Sequence, residues 1–174
     1  MTAFLVILVI LAALAFVISR RPDDFTVTRK AAIAAPAADV FAQVNDFHNW
    51  QNWSPWAKID PNAKNTYSGP AAGTGAGFAW EGNGKIGAGN MTITESRAPE
   101  LIRMRLEFLK PFKAVNATEF TFTPEGGKTL VSWTMAGKAN FMSKAMGLFM
   151  DCDKMVGKQF DQGLAQIAAI VEKK

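Results

Sequence analysis

The end of this 174-residue chain carries the pattern that most constrains its fold. Apolar residues recur there at steps of three or four, the period of one face of an α-helix. The pattern predicts one continuous amphipathic helix from Asn140 to Glu172. Gly157 and Gly163 each cost about 1 kcal/mol relative to alanine inside a helix, so we expect a close backbone contact or a bend at each. The apolar positions are Phe141, Met142, Met146, Phe149, Cys152, Val156, Phe160, Leu164, Ile167 and Val171.

The residues before this helix predict strands. Residues 25–33 alternate apolar and polar side chains, and residues 101–108 do so most clearly, with Met104 and Leu106 opposed to Arg103 and Arg105. The segments FAWEG, NMTITES, ATEFTFT and TLVSWTM predict further strands. Connections this short cannot hold crossover helices, so we expect an antiparallel sheet.

The first residues predict a membrane anchor. Residues 3–18 are all apolar, and a helix over 1–19 would measure about 28 Å, close to the thickness of a bilayer's hydrocarbon core. We therefore expect a transmembrane anchor at 1–21, a linker at 22–24 and one domain at 25–174. Arg20 and Arg21 follow the apolar run, which favours a single-pass topology with the domain in the cytoplasm. The alternative is a signal peptide, cleaved near Ala13-Leu14-Ala15 to release an exported protein.

Composition narrows the classes of function. The formal net charge is +4, but basic and acidic residues are interspersed, so nucleic acid is not an expected partner. One histidine and one cysteine allow neither an internal disulfide nor a metal site of several imidazoles or thiolates. We expect no metal and no cofactor. His48 is expected on a lid or on the surface, and Asp151 and Asp153 in water or in ion pairs.

Three of the five tryptophans, Trp50, Trp53 and Trp56, fall within seven residues. A spacing of three places them on roughly one face of a short helix or tight turn, and Pro55 ends the segment. This favours a structural plug at one end of the core. Direct contact with a ligand is the alternative.

The order of these elements resembles the START-like, or SRPBCC, superfamily. IAAPAADVFAQVNDFHNWQNWSPW resembles its opening strand, helix and Trp-rich second helix. GTGAGFAWEGN, FLKPF, TLVSWTMAG and GLFMDCDKMVGKQFDQGLAQI resemble a membrane-anchored bacterial branch labelled polyketide cyclase or SRPBCC protein. The similarity covers about residues 25–172. It implies an α+β helix-grip fold: a curved antiparallel sheet around the long carboxyl-terminal helix, two short helices after the first strand, and an apolar cavity between sheet and helix.

The resemblance also implies a function, namely non-covalent binding of a small hydrophobic or amphipathic molecule such as a lipid, an isoprenoid or a polyketide-like compound. Flexible methionines and flat aromatic rings suit an adaptable apolar cavity, and simple core packing is the alternative for each of them. The residues expected to line the cavity are Trp50, Trp53, Trp80, Met91, Met104, Phe120, Phe122, Trp133, Met146, Phe149, Met150 and Phe160.

Two other classes of function stay open. A polyketide cyclase or aromatase would need tuned acid–base groups, for which an inward Glu81 or Glu107 would be the candidates. An inward Arg103 or Arg105 would suit an anionic ligand, but both are expected to face water. No acid–base pair stands out, so no catalytic residue is assigned. A non-binding interaction or stress protein would have a filled interior.

Overall fold

The computed structural model describes residues 2–139, 144–145, 147–148 and 151–173. Within these residues, seven strands form one antiparallel sheet in the order β1-β7-β6-β5-β4-β3-β2. The strands are β1 (Asp24–Ile33), β2 (Lys64–Ser68), β3 (Gly77–Glu81), β4 (Ala88–Arg97), β5 (Leu101–Lys110), β6 (Ala114–Glu125) and β7 (Lys128–Lys138). The helices are α1 (Thr2–Ser19), α2 (Ala37–Asn45), α3 (Trp50–Trp53), α4 (Pro55–Ile59) and α5 (Cys152–Val171).

The sheet is an open meander to which the first strand is added at one edge. Strands β2 to β6 each pair with the next strand in sequence, and β1 pairs along its whole length with β7. The predicted strands all form. The pattern did not predict β2, because its Lys64, Asn65 and Thr66 are exposed and an edge strand needs no buried face.

The core lies between one face of the sheet and α5. We call this face the inner face; Val27, Met104 and Phe120 point into it. Phe160, Leu164, Ile167 and Val171 of α5 supply the opposing layer and are buried. The observed α+β architecture is therefore the expected curved sheet packed on a carboxyl-terminal helix.

The predicted helix from Asn140 to Glu172 is not continuous. Asp151 is extended, with ψ at 95°, and its carboxylate accepts a hydrogen bond from the backbone N–H of Lys154 at 3.1 Å. An aspartate in this position caps a helix, so α5 begins at Cys152. Residues 140–143, 146 and 149–150, as well as the side chain of Cys152, lie outside the described residues.

The expectation of two short helices after β1 is also wrong, because three form. Ser54 is extended, with ψ at 126°, and separates α3 from α4. Pro55 has no N–H, and its fixed φ suits the first position of a helix, so it starts α4. The residue before a proline avoids the helical region, which explains the break at Ser54.

Helix α1 is apolar. Its large apolar side chains from Phe4 to Val17 are exposed, between 69% at Phe4 and 43% at Leu14, whereas Ile18 is buried. Among the described residues, no helix is both long enough and apolar enough to cross a membrane.

Candidate ligand site on the inner face of the sheet

An aromatic stack joins the sheet to α5. Alternation along β7 turns Trp133 inward, where its indole ring lies parallel to the ring of Phe160, with the centroids 3.9 Å apart. Phe120, its cross-strand partner on β6, stacks on it at 4.7 Å. The ring of Trp53 packs edge-to-face with the Trp133 indole, with the ring centroids 5.7 Å apart. Trp133 is therefore held by rigid rings from the sheet, from α5 and from α3.

The tryptophans of the short helices are part of this core. Trp50 and Trp53 are buried, and their indole N–H groups donate to the carbonyls of Val44 and Gln43, both at 2.9 Å. Trp56 is half-buried and contacts Trp133 and Phe160. This placement favours the plug interpretation. Their contact with a ligand stays a prediction.

The two helix glycines allow the close approaches expected of them. A Cβ on Gly163 would lie 2.8 Å from the ring of Trp133 and 3.4 Å from that of Trp53. A Cβ on Gly157 would lie 1.9 Å from the guanidinium of Arg29. Each glycine therefore gives a large side chain room against the helix backbone.

Three buried polar atoms on the inner face lack a hydrogen-bond partner among the described residues. They are Asn116 Oδ1 and Thr118 Oγ1 on β6 and Trp133 Nε1 on β7. The residues are 5%, 4% and 2% exposed. We call these three residues the polar strip. Thr118 pairs with Met135, two residues from Trp133, which places the strip on neighbouring positions of two adjacent strands.

Polar groups buried elsewhere in the core have hydrogen-bond partners. The hydroxyl of Thr129, also buried, donates to the carbonyl of Ala35 at 2.7 Å. The indole N–H groups of Trp50 and Trp53 have carbonyl partners, as described above. An unsatisfied buried polar group costs about 1–3 kcal/mol, and native proteins hold few of them. Three together on one face therefore point to a missing polar partner.

Methionines flank the polar strip. Met104 and Met135 are the two cross-strand neighbours of Thr118, one on β5 and one on β7. The amide nitrogen of Asn116 lies 3.7 Å from the sulfur of Met135. Unbranched thioether side chains rearrange at low cost, so this part of the core can change shape more readily than the aromatic stack.

The structure does not gather all the predicted cavity residues into one patch. Met104, Phe120, Trp133 and Phe160 lie at or beside the polar strip. Phe122 packs on Phe41 of α2, with the ring centroids 5.4 Å apart. Trp80 and Met91 lie on β3 and β4, and Trp80 stacks on Phe78 while its indole N–H donates to the Ile86 carbonyl. Met146, Phe149 and Met150 lie outside the described residues.

Asn116 and Thr118 complete the site but were not among the predicted lining residues. The segment ATEFTFT predicted inward positions at Phe120 and Phe122. The same alternation, followed two and four residues back, gives Thr118 and Asn116. Polar residues at inward positions of an apolar strand face were therefore the sequence feature that could have indicated this site.

The inward arginine is Arg29 of β1, which the sequence did not single out. Its side chain is 24% exposed and donates to Asp153 of α5 at 2.9 Å, with Asp161 at 3.5 Å. The hydrogen bond with Asp153 raises the pKa of Arg29, and the same bond lowers the pKa of Asp153. Arg29 therefore ties α5 to the sheet.

The other charged candidates point away from the interior. Arg103 is exposed and pairs with Glu95 and Glu119, both at 2.7 Å. Glu107 pairs with Arg105 at 2.6 Å. Glu81 is exposed, and its hydrogen bond with Lys110 lowers its pKa, which is opposite to the rise that a buried general acid needs. This arrangement therefore places neither glutamate as an inward acid–base group.

His48 is an exposed residue, as expected. Its ring stacks on Tyr67, with the centroids 4.0 Å apart, and its Nδ1 lies 2.8 Å from Asp46. Among the described residues, no three histidine, cysteine or acidic side chains are grouped so as to hold a metal ion.

The described residues form, among other surface features, two depressions. The larger, about 580 Å³, is lined by the directly paired row Thr26, Ala136, Ala117 and Arg105 and reaches Asn116 of the polar strip. The smaller, about 100 Å³, is lined by Phe47, His48 and Tyr67, among others. Because this row alternates with the inward residues, the larger depression lies on the outer face of the sheet, opposite α5.

An antiparallel meander sheet packed around a carboxyl-terminal helix defines a helix-grip domain. In this chain the apolar interior also contains the polar strip. The chain belongs to the family described as polyketide cyclase/dehydrase and lipid transport, whose model matches residues 24–172. This confirms the resemblance to the START-like superfamily. No curated protein matches the sequence.

Solved structures share this fold. A Chromobacterium violaceum protein is 17% identical, with 84% of this chain and 96% of that chain covered and a TM-score of 0.62. A Mycobacterium smegmatis protein is 21% identical, with 85% and 91% covered and a TM-score of 0.59. The di-domain ARO/CYC protein StfQ, from the steffimycin biosynthetic pathway, is 10% identical, with 89% and 53% covered and a TM-score of 0.64. At these identities the likeness shows the fold alone.

Proposed function

We propose that the domain binds a small amphipathic molecule, of the lipid, isoprenoid or polyketide class, without a covalent bond. The ligand lies between the sheet and α5, with its polar group against the polar strip. The supporting observation is the set of three buried polar atoms that lack a hydrogen-bond partner among the described residues. A ligand hydroxyl or carbonyl would accept a hydrogen bond from the indole N–H of Trp133, and a hydroxyl could also donate to Asn116 Oδ1.

The apolar part of the ligand would displace methionine side chains. Met104 and Met135 border the strip, and an apolar ligand that replaces their contacts gains affinity mainly from buried surface. The aromatic stack of Trp133 and Phe160 would form one rigid wall. Family membership supports the class of ligand.

The polar strip separates this proposal from its two rivals. A cyclase needs inward acid–base groups, and Glu81 and Glu107 are both engaged in ion pairs outside the interior. A protein with a purely structural interior needs no orphan polar groups there. The densely stacked rings suit such a protein, but the three unpartnered atoms do not.

A lipid extract of the purified full chain tests the proposal. We expect mass spectrometry to find a co-purified amphipathic molecule in the wild type and less of it in Thr118→Val, which removes one polar contact at nearly constant volume. Thr129→Val is the matched control, because that threonine is buried away from the strip and should leave occupancy unchanged in folded protein. An empty wild-type protein that also takes up no added fatty acid or isoprenoid alcohol would overturn the proposal.

We also propose that α1 anchors the domain to a membrane. The support is its run of exposed apolar side chains, which leaves a large apolar surface in contact with solvent. An anchor would hold the domain beside a reservoir of apolar molecules, with the domain on the cytoplasmic side as the basic residues after α1 favour. Fractionation of cells tests this: we expect the full chain to stay with the membranes after alkaline carbonate washing.

Protease protection of sealed inside-out vesicles tests the sidedness. We expect the domain to be digested on these vesicles and protected on right-side-out cells. Release of the full chain into the soluble fraction would contradict anchoring, and the reversed protection pattern would contradict the cytoplasmic placement.

A further inference from the structure

The end of α1 and the hairpin between β5 and β6 lie at the same end of the strands, where β1, β4 and β6 begin. We call this end of the strands the α1 edge of the sheet. Strand β1 begins at Asp24, which pairs with Lys138 at the end of β7. Gly137 pairs with Asn116 near the start of β6, and Ala114 pairs with Phe108 near the end of β5. Only residues 20–23 separate α1 from β1, and four residues span at most about 14 Å. An anchor formed by α1 would thus hold this edge next to the membrane.

The β5–β6 hairpin presents apolar side chains to solvent at this edge. Leu109, Phe112 and Val115 are 49%, 50% and 53% exposed, although all three side chains are apolar. We call residues 109–115 the hairpin tip. Alternation in the hairpin puts Leu109 and Val115 on the outer face. Val115 pairs with Glu107, so Leu109 is its diagonal neighbour on the adjacent strand, and Phe112 lies in the turn between them. The tip is therefore an apolar projection with no described element packed over these side chains.

Positive charge surrounds the hairpin tip. Lys113 lies within it, Lys138 ends the neighbouring β7, and Lys85 lies in the loop before β4; all three are exposed. Arg20 and Arg21 follow α1 directly. The acidic residues at this edge include Asp23, Asp24, Glu81 and Glu107. Lys144 engages Asp23, Lys110 engages Glu81 and Arg105 engages Glu107, and Asp24 lies opposite Lys138 in the register of β1 and β7. An apolar projection ringed by cations matches the interface of an anionic bilayer, where apolar groups enter below the headgroups and cations stay among them.

We infer that the hairpin tip is a second membrane contact, which docks the sheet edge onto an anionic lipid surface. Phe112 and Leu109 enter the interface, and Lys113, Lys85 and Lys138 lie against lipid phosphates. This contact goes beyond ligand binding, though it rests on the proposed association of α1 with the same membrane. It would orient the domain so that the larger depression, which Val115 and Lys138 help to line, opens close to the lipid surface.

Hydrogen–deuterium exchange of the full chain, reconstituted in vesicles, tests this contact without an attached probe. We expect the backbone amides of Phe112 and Lys113 to exchange more slowly in vesicles of phosphatidylcholine and phosphatidylglycerol than in phosphatidylcholine alone. The turn at Gly126 and Gly127, at the opposite edge of the sheet, is the internal control and should exchange equally in both.

Variants separate docking from anchoring. Leu109→Glu with Phe112→Glu should abolish the slowing while the chain stays with the vesicles through α1. Met155→Glu, which places a charge at an equally exposed apolar residue of α5, should leave the slowing intact. Should the double variant fail to fold, Lys113→Gln should still reduce the difference between the two lipid mixtures.

Three outcomes would overturn the inference: unchanged exchange at the tip, equal slowing in both lipid mixtures, or equal slowing at Gly126. Slowing that depends on protein concentration instead of lipid charge would assign the tip to a protein contact and also overturn it. Exchange at the tip does not depend on a bound ligand. A negative result here would therefore contradict membrane docking, whereas an empty interior would contradict ligand binding.

Discussion

The rings of Trp133 and Phe160 lie parallel, at an angle of 8°, with their centroids 3.9 Å apart. This contact joins the middle of β7 to the middle of α5. One turn further along α5, Gly163 lets the helix backbone approach the same indole. The stack therefore fixes the distance between helix and sheet at the level of the polar strip, and its effect on stability can be measured.

Phe160→Ala should lower the free energy of unfolding by about 3–5 kcal/mol, because it removes a fully buried ring from a site with rigid neighbours. Met155→Ala on the same helix removes an exposed side chain and should change stability by less than about 0.5 kcal/mol. Urea unfolding followed by tryptophan fluorescence measures both. Equal effects of the two changes would contradict the stacked arrangement.

Gly163→Ala should destabilise the protein by about 1–3 kcal/mol, although alanine favours helices, because the new methyl group meets the rings of Trp133 and Trp53. Gly84→Ala is the control, since a Cβ there meets nothing within 4 Å. Thermal unfolding of the two variants gives the comparison. A Gly163→Ala protein more stable than the wild type would show that the helix does not lie this close.

The two buried threonines should respond oppositely to valine. Thr118→Val removes a hydroxyl without a described partner, so the ligand-free protein should be as stable as the wild type or more so. Thr129→Val leaves the Ala35 carbonyl unsatisfied and should cost about 1–3 kcal/mol. Denaturant unfolding of delipidated protein measures the pair. A loss at Thr118 as large as that at Thr129 would mean that the Thr118 hydroxyl is already satisfied.

The ion pair between Arg29 and Asp153 should make stability depend on acid pH. The hydrogen bond from Arg29 lowers the pKa of Asp153 from its ordinary 3.8 in the folded protein. The unfolded chain therefore binds this proton more readily, so the stabilisation is present above about pH 3.8 and is lost as pH falls through the lower folded pKa.

Asp153→Asn should accordingly flatten part of the acid limb in a plot of unfolding free energy against pH. Glu125→Gln changes the same charge at the exposed end of β6, with no described ion pair, and is the control. An unchanged acid limb in Asp153→Asn would show that the pair does not persist in solution.

The start of α5 depends on the cap at Asp151. Asp151→Ala should cost about 0.5–2 kcal/mol, because the backbone N–H of Lys154 loses its acceptor. Asp151→Asn keeps a good capping group and should retain most of the stability. Chemical denaturation compares the two. Similar losses in both would indicate that the aspartate acts through its charge instead of as a cap.

Strand positions were predictable because they depend on a local property. In β5, each apolar residue from Ile102 to Phe108 is two positions from the next, and burial on one face of a sheet requires this spacing. The helical spacing of Phe160, Leu164 and Ile167 fixed the buried face of α5 in the same way. Glycine lowers helix stability, so the presence of Gly157 and Gly163 within that helix likewise indicated close contacts with its backbone.

The break at Asp151 illustrates where the pattern misled. Helical spacing of apolar residues continues on both sides of this position, so periodicity alone joined them. The extended backbone at Asp151 and its hydrogen bond to Lys154 stop the helix there. The split at Ser54 has the same character, because Pro55 can end one helix or begin the next.

The sequence by itself determined the family, the antiparallel meander and the residues that face the core, since repeating patterns of two and of three to four residues record burial. Tertiary structure alone decided which partners those residues meet. It brought Asn116, Thr118 and Trp133 together on two strands, and it set Arg29 against Asp153 across 124 positions of the chain. Hydrogen-bond satisfaction depends on atoms from distant segments, so no local pattern could show that the polar strip is unpartnered within the described chain.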